Sequence, residues 1–183
     1  MPSVQTILWN ETDEDLRRAC IELWEQVWPN PPEAARPPRE ERVKARYAAL
    51  DDHRLHVITE GGQLIAVART FLQTVTASHD GTERDIDVVA LASVCSHPDR
   101  RGEGFGDGVV TAAFEHAAEA GRPSLFQTGV PEFYERFGGR TISNEITTSA
   151  PGEDAFTDDC VMIYPNTPSW DESVTIDLTV AGW

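Results

Sequence analysis

The chain has 183 residues, 40% of them hydrophobic and 25% charged, with a formal net charge of −16. That length favours one domain with a real core over two small ones, spanning 1–183. The acidic charge repels polyanions, so neither nucleic acid nor an anionic membrane is an expected partner, and a cationic small molecule is.

The first segment, "SVQTILWN", reads as a strand. Thr12 is then placed to cap a helix over "DEDLRRACIELWEQVW", where Leu16, Cys20, Leu23, Trp24 and Val27 recur at helical spacing. "PNPP" ends it, and "REERVKARYAAL" reads as a second helix. "RLHVIT" and "QLIAVARTFLQTV" are strands joined by an "EGGQ" hairpin. "SHDG" turns the chain again, and "DIDVVALASVC" follows as an apolar strand expected to be buried on both faces. A glycine-rich turn leads into a helix from about Gly104 to Ala120. "PSLFQT" is a short strand, and "PEFYERF" a short helix with Pro131 at its start. "CVMIY" and "SVTIDLTV" complete the pattern, with the last strands at about 158–181. This order predicts an α/β domain built on a mixed sheet.

Cys20, Cys95 and Cys160 are odd in number, far apart and without Cys-x-x-Cys spacing. That predicts a reducing, cytoplasmic setting, with no disulfide framework and no metal site. No basic stretch followed by an apolar run opens the chain, and no apolar run approaches the ~20 residues that span a bilayer.

The chemistry concentrates in "HPDRRGEGFGDGVV" (97–110). A strand ending in a glycine-rich turn at a helix N-terminus points amide groups outward, and the helix dipole favours an anion there. Arg100 and Arg101 add positive charge. A turn built only for its geometry would show the same glycines. The P-loop is excluded because Gly106-Asp107-Gly108 stands where Gly-Lys-Ser/Thr is required. The dinucleotide fingerprint fails because Asp107 and Val109 occupy its third-glycine positions.

Arg101-x-x-Gly104-x-Gly106, led in by "VCSHPDR", resembles the acyl-CoA motif of the GNAT N-acyltransferase superfamily. Downstream, "VPEFYERFGG" resembles that superfamily's Tyr-bearing segment, though Gly139 stands where phenylalanine is usual. The resemblance implies a mixed, mostly antiparallel sheet flanked by helices and a direct transfer from acetyl-CoA to an amine. It implies that Val94, Cys95 and Ser96 pair through their backbone with the pantetheine arm. Arg101, Gly102, Glu103, Gly104, Phe105 and Gly106 would hold the pyrophosphate. Tyr134 would be the general acid that protonates the departing sulfur, the alternative being a core tyrosine. No metal is implied.

Relatives often carry a glutamate on the strand before the loop, where this chain has Ala90 and Ala92. Asp85 and Asp87 read as strand-end charges. A water chain, His97, Asp158 or Asp159, or an amine arriving neutral are the remaining ways to remove the proton. The tail "TDDCVMIYPNTPSWDESVTIDLTVAGW" resembles the end of the aminoglycoside 2′-N-acetyltransferases. Carried over, Asp158, Asp159 and Trp183 would line the site of a small cationic acceptor such as an aminoglycoside or amino sugar. A homodimer is compatible with all of this. Two other classes compete: a non-catalytic acyl-CoA-binding module of the same fold, and a nucleotide-binding protein.

Overall fold

A computed structural model describes residues 3–29, 47, 49–147, 160–167 and 169–178. Strand β1 is Gln5–Leu8. A 3-10 turn at Trp9–Glu11 follows, and helix α1 occupies Glu14–Val27. The cap of α1 is Asp13, not Thr12: the Asp13 carboxylate accepts the Leu16 amide at 2.8 Å. The 3-10 turn takes up Thr12, whose hydroxyl donates back to the Leu8 carbonyl at 2.9 Å. α1 buries Cys20, Leu23 and Trp24, the stripe that its helical spacing predicts. The second helix expected over 39–50 lies mostly outside the described residues. Within it Tyr47 is helical, and Ala49 and Leu50 are not.

β2 is Asp51–Glu60, β3 is Gln63–His79 and β4 is Thr82–Ser96. Gly61 (φ +56°) and Gly62 (φ +83°) close the first hairpin, and Asp80 (φ +49°) and Gly81 (φ +75°) the second. Two consecutive left-handed residues match the right-handed twist of the strands they join. Helix α2 is Phe105–Ala120, β5 is Ser124–Gln127 and helix α3 is Pro131–Glu135. Four short strands end the chain: β6 (Arg140–Thr141), β7 (Ile146–Thr147), β8 (Val161–Tyr164) and β9 (Thr175–Asp177). β6 and β7 carry no sequence signal, because two residues show no periodicity and their pairing alone defines them.

The sheet runs β1-β2-β3-β4-β5-β8-β6, and β9 pairs with β3 and β7. β4 and β5 are parallel at Val89/Ser124 and Ala90/Leu125, as are β7 and β9, while β1/β2, β3/β9, β5/β8 and β6/β8 are antiparallel. The mixed, mostly antiparallel α/β architecture is the one expected. β4 departs from expectation along its length. Only Val88–Leu91 is a buried run, and the hairpin end is exposed, with Thr74 donating to Asp87 at 2.8 Å.

Backbone packing groups the chain into two compact units. One comprises Met1–Phe71 with Leu91–Glu115, the other Leu72–Ala90 with His116–Ala181. In the first, Trp9, Cys20, Trp24, Leu55, Val57 and Cys95 form the core under α1. In the second, Val88, Leu125, Ile163, Val174 and Ile176 form another. Among the described residues, no helix is long and apolar enough to cross a membrane.

Candidate active site

The glycine turn folds for a local reason. His97 leaves β4 with its amide still donating to the Ile65 carbonyl at 2.7 Å. Its ring nitrogen then accepts the Asp99 amide at 3.3 Å, capping a single turn at Pro98–Arg100. This makes His97 a loop-building residue. Gly102 and Gly104 both take φ +83°, a conformation that side chains resist. α2 begins at Phe105, and its first closing bonds run from the Asp107 and Gly108 amides to the Gly104 carbonyl. None of the amides from Arg101 to Gly106 donates to an acceptor among the described residues. Six consecutive donors are thus unengaged among the described residues, at the positive end of a sixteen-residue helix. The exposed Arg101 guanidinium has no ion-pair partner among the described residues.

Arg100 corrects the expectation that both arginines offer charge to a ligand. Its guanidinium is held by Glu103 through two bonds of 2.7 and 2.8 Å and by Glu60 through a third of 2.9 Å. These bonds favour its charged form further and hold the Glu103 carboxyl below the usual range.

Val94 and Ser96 are half-buried on β4, and Cys95 is buried in the core under α1. Ser93 sits within β4 at φ +53°. Thr74 lies opposite Asp87 near the hairpin, whereas the His97–Ile65 bond at the other end is one residue out of that register, so β4 carries one extra residue, a bulge. Ser93 is secured from two directions. Trp24 Nε1 donates to its carbonyl at 3.3 Å, and Arg69 Nε donates to its hydroxyl at 3.0 Å. The Arg69 guanidinium is buried, 3.9 Å from the Tyr47 ring centroid and 5.2 Å from that of Phe71. A serine between apolar residues and an arginine inside an apolar strand were the available signals.

Tyr134 lies on α3 and is buried, its ring 4.6 Å from Phe126 and edge-on to Phe133 at 4.9 Å. Its carbonyl accepts the Phe137 and Gly139 amides at 3.0 and 3.2 Å. A Cβ at residue 139 would lie 3.2 Å from that carbonyl oxygen, so the close backbone return accounts for glycine there.

Asp85 and Asp87 face Thr76 and Thr74 across the hairpin, and Asp87 also pairs with Arg122 at 3.2 Å. That is a strand-surface arrangement. Asp158, Asp159 and Trp183 lie outside the described residues. No cluster of three or more His, Cys, Asp or Glu able to hold a metal occurs among the described residues, and the three cysteines are free thiols.

A family model described as an acetyltransferase (GNAT) domain matches residues 10–141. Among solved structures the chain is similar to Escherichia coli ElaA, with a TM-score of 0.61, 18% identity, and coverage of 89% of this chain and 99% of that one. It is similar to an aminoglycoside 6'-N-acetyltransferase complexed with coenzyme A, with a TM-score of 0.61, 15% identity and coverage of 91% and 99%. It is also similar to glucosamine-6-phosphate N-acetyltransferase from Arabidopsis thaliana, with a TM-score of 0.53, 17% identity and coverage of 85% and 99%. No curated protein sequence matches the chain.

Proposed function

The chain belongs to the GNAT acetyltransferase family, and from that premise we propose that it transfers an acetyl group directly from acetyl-CoA to the amine of a small, cationic acceptor. One observation carries the reading: the run of amides from Arg101 to Gly106 that have no acceptor among the described residues, shaped by two left-handed glycines ahead of α2. Such a run is an anion cradle, and the pyrophosphate of coenzyme A is the anion that the family motif implies. Arg101 adds an exposed positive charge. Val94, Cys95 and Ser96 offer strand backbone beside a bulge, where an extended pantetheine arm can add as a further edge.

Transfer to an amine needs a neutral nucleophile, a polarised carbonyl and a proton for the leaving sulfur. Tyr134 is the donor in this reading. Its ring packs against Phe126 and Phe133, which fixes the phenol in one position as a proton donor. Ala90 and Ala92 carry no base, which leaves water, His97, Asp158 or Asp159 to take the amine's proton, or an amine that arrives neutral.

The acceptor class rests on charge. A surface at −16 favours a polycationic amino sugar over a phosphorylated one. Two structural neighbours are named for acetylation of an aminoglycoside and of an amino-sugar phosphate, which supports sugar amines as the first to try. Asp158, Asp159 and Trp183 are the residues we assign to that acceptor. The test is thiol release from acetyl-CoA against aminoglycosides, glucosamine 6-phosphate and polyamines. Release with the polycationic sugars and little with the phosphate is expected. Coenzyme A binding without release to any amine would make the protein a binding module instead.

A further inference from the structure

The anion loop is flanked by two carboxylates, which is the opposite of what simple attraction would build around a pyrophosphate. Glu103 lies inside the loop, two residues ahead of α2, and Glu60 ends β2. Both converge on Arg100. Nε and Nη2 grip the two oxygens of Glu103 at 2.7 and 2.8 Å, and Nη1 reaches Glu60 at 2.9 Å. The same guanidinium stacks over the Phe105 ring, 4.9 Å from its centroid, and Phe105 is the buried first residue of α2. One side chain therefore ties together the middle of the loop, the start of the helix and the end of a neighbouring strand. Main-chain bonds hold the loop at its two ends, at His97 and Arg100 on the approach and at the Gly104 carbonyl where α2 starts. Among the described residues, no amide from Arg101 to Gly106 donates a bond of its own to steady it. Glycines at 102, 104 and 106 make that stretch costly to order.

We propose that Arg100 is a positioning residue that keeps the loop in its anion-binding shape by locking Glu103 to Glu60, and that it is not itself a ligand of the phosphates. The inference rests on the acyl-CoA reading of the loop. It reverses the expected sign of two substitutions. If Arg100 bound phosphate, Glu60 would compete with the ligand for it, and removing Glu60 would tighten coenzyme A binding. As a lock, Glu60 is needed, and its removal weakens binding even though it takes away a repelling charge. Arg100→Lys keeps the positive charge and loses the fork, since an ammonium cannot grip two carboxylates in one plane. A loop held in the competent shape for only a tenth of the time binds tenfold more weakly.

The experiment is calorimetric titration of coenzyme A into the wild-type chain, Glu60→Ala and Arg100→Lys, with the melting temperature of each measured alongside. The expected result is a Kd raised about tenfold in both variants, the low end of what one charge-assisted bond contributes. Their melting temperatures should stay close to wild type, because the lock is partly exposed and acts on a surface loop. Tighter binding by Glu60→Ala, or an unchanged Kd for Arg100→Lys, overturns the proposal in favour of direct phosphate contact. Lower melting temperatures with unchanged Kd overturn it in favour of a stability role alone. A wild-type chain that does not bind coenzyme A removes the proposed function first, and this inference with it.

Discussion

The loop from Arg101 to Gly106 and the aromatic seats of His53 and Tyr134 hold polar groups in opposite ways. In the loop, six amides have no acceptor among the described residues, and the side chains that shape it are partly exposed. Beneath α1, His53 is only 4% exposed, stacked 5.1 Å from Trp9 and edge-on to Tyr47, and neither ring nitrogen has a hydrogen-bond partner among the described residues. The Tyr134 ring packs against those of Phe126 and Phe133. Solvated donors cost little to leave open and are available to an anion. Enclosed polar groups cost stability and are tuned by their surroundings. His56, three residues on, shows the ordinary solution: its ring nitrogens meet Thr6 and Thr70 at 3.0 and 2.9 Å.

The largest effect expected is on turnover. Tyr134→Phe keeps the ring against Phe126 and removes the proton donor, so kcat should fall by roughly a hundredfold, within the range of general acid catalysis. Coenzyme A affinity should hold. Steady-state kinetics with an unactivated thioester checks this. An unchanged kcat would move Tyr134 to the purely structural side of the comparison.

The loop should respond next. Gly104→Val forces a β-branched residue to φ +83° and puts a side chain where an anion approaches the backbone. Strain of a few kcal/mol predicts coenzyme A binding about thirtyfold weaker by calorimetry, with Arg101→Ala losing less because much of the cradle is main chain. Native-like affinity in a folded Gly104→Val protein would place the anion elsewhere.

His53 makes the buried side titratable. Burial first, and then the Arg69 charge, push its pKa down from 6.5 to about 3; the Tyr47 backbone opposes this without reaching hydrogen-bond geometry. Between pH 6.5 and 3 the unfolded chain therefore binds a proton that the folded chain refuses. Stability from this group is complete above pH 6.5 and is lost on acidification, by at most about 1.4 kcal/mol per pH unit. Urea unfolding at pH 7, 6, 5 and 4 should show a shallower acid limb for His53→Phe than for wild type. Parallel limbs would mean that the ring finds a proton partner when folded.

The smallest effect belongs to Gly108, inside α2. Alanine gains about 1 kcal/mol of helix propensity. Its Cβ would meet Ile58 Cδ1 at 3.1 Å and Val4 Cγ2 at 3.4 Å, so the neighbours must yield. The two terms oppose, and the melting temperature of Gly108→Ala should barely move. A clear loss would show that α2 packs against β2 with no slack.

Residues close in sequence determined a good deal by themselves. The helical stripe of α1, the two hairpins and the glycine turn ahead of α2 are legible because their chemistry is local: periodicity, left-handed glycines, and amides at a helix start. The turn's kinship to an acyl-CoA cradle is legible for the same reason, since a backbone site is written in the residues that shape the backbone. Tertiary structure alone decided the rest. Only it could turn Arg100 from a free charge into a lock, because Glu60 lies 40 residues away in sequence. Only it could bend β4 at Ser93, through contacts from Trp24 and Arg69 on other elements. Only it could leave His53 unpartnered between rings while His56 found two threonines. The charge, hydration and pairing of a side chain depend on what surrounds it in space, and sequence proximity carries no record of that.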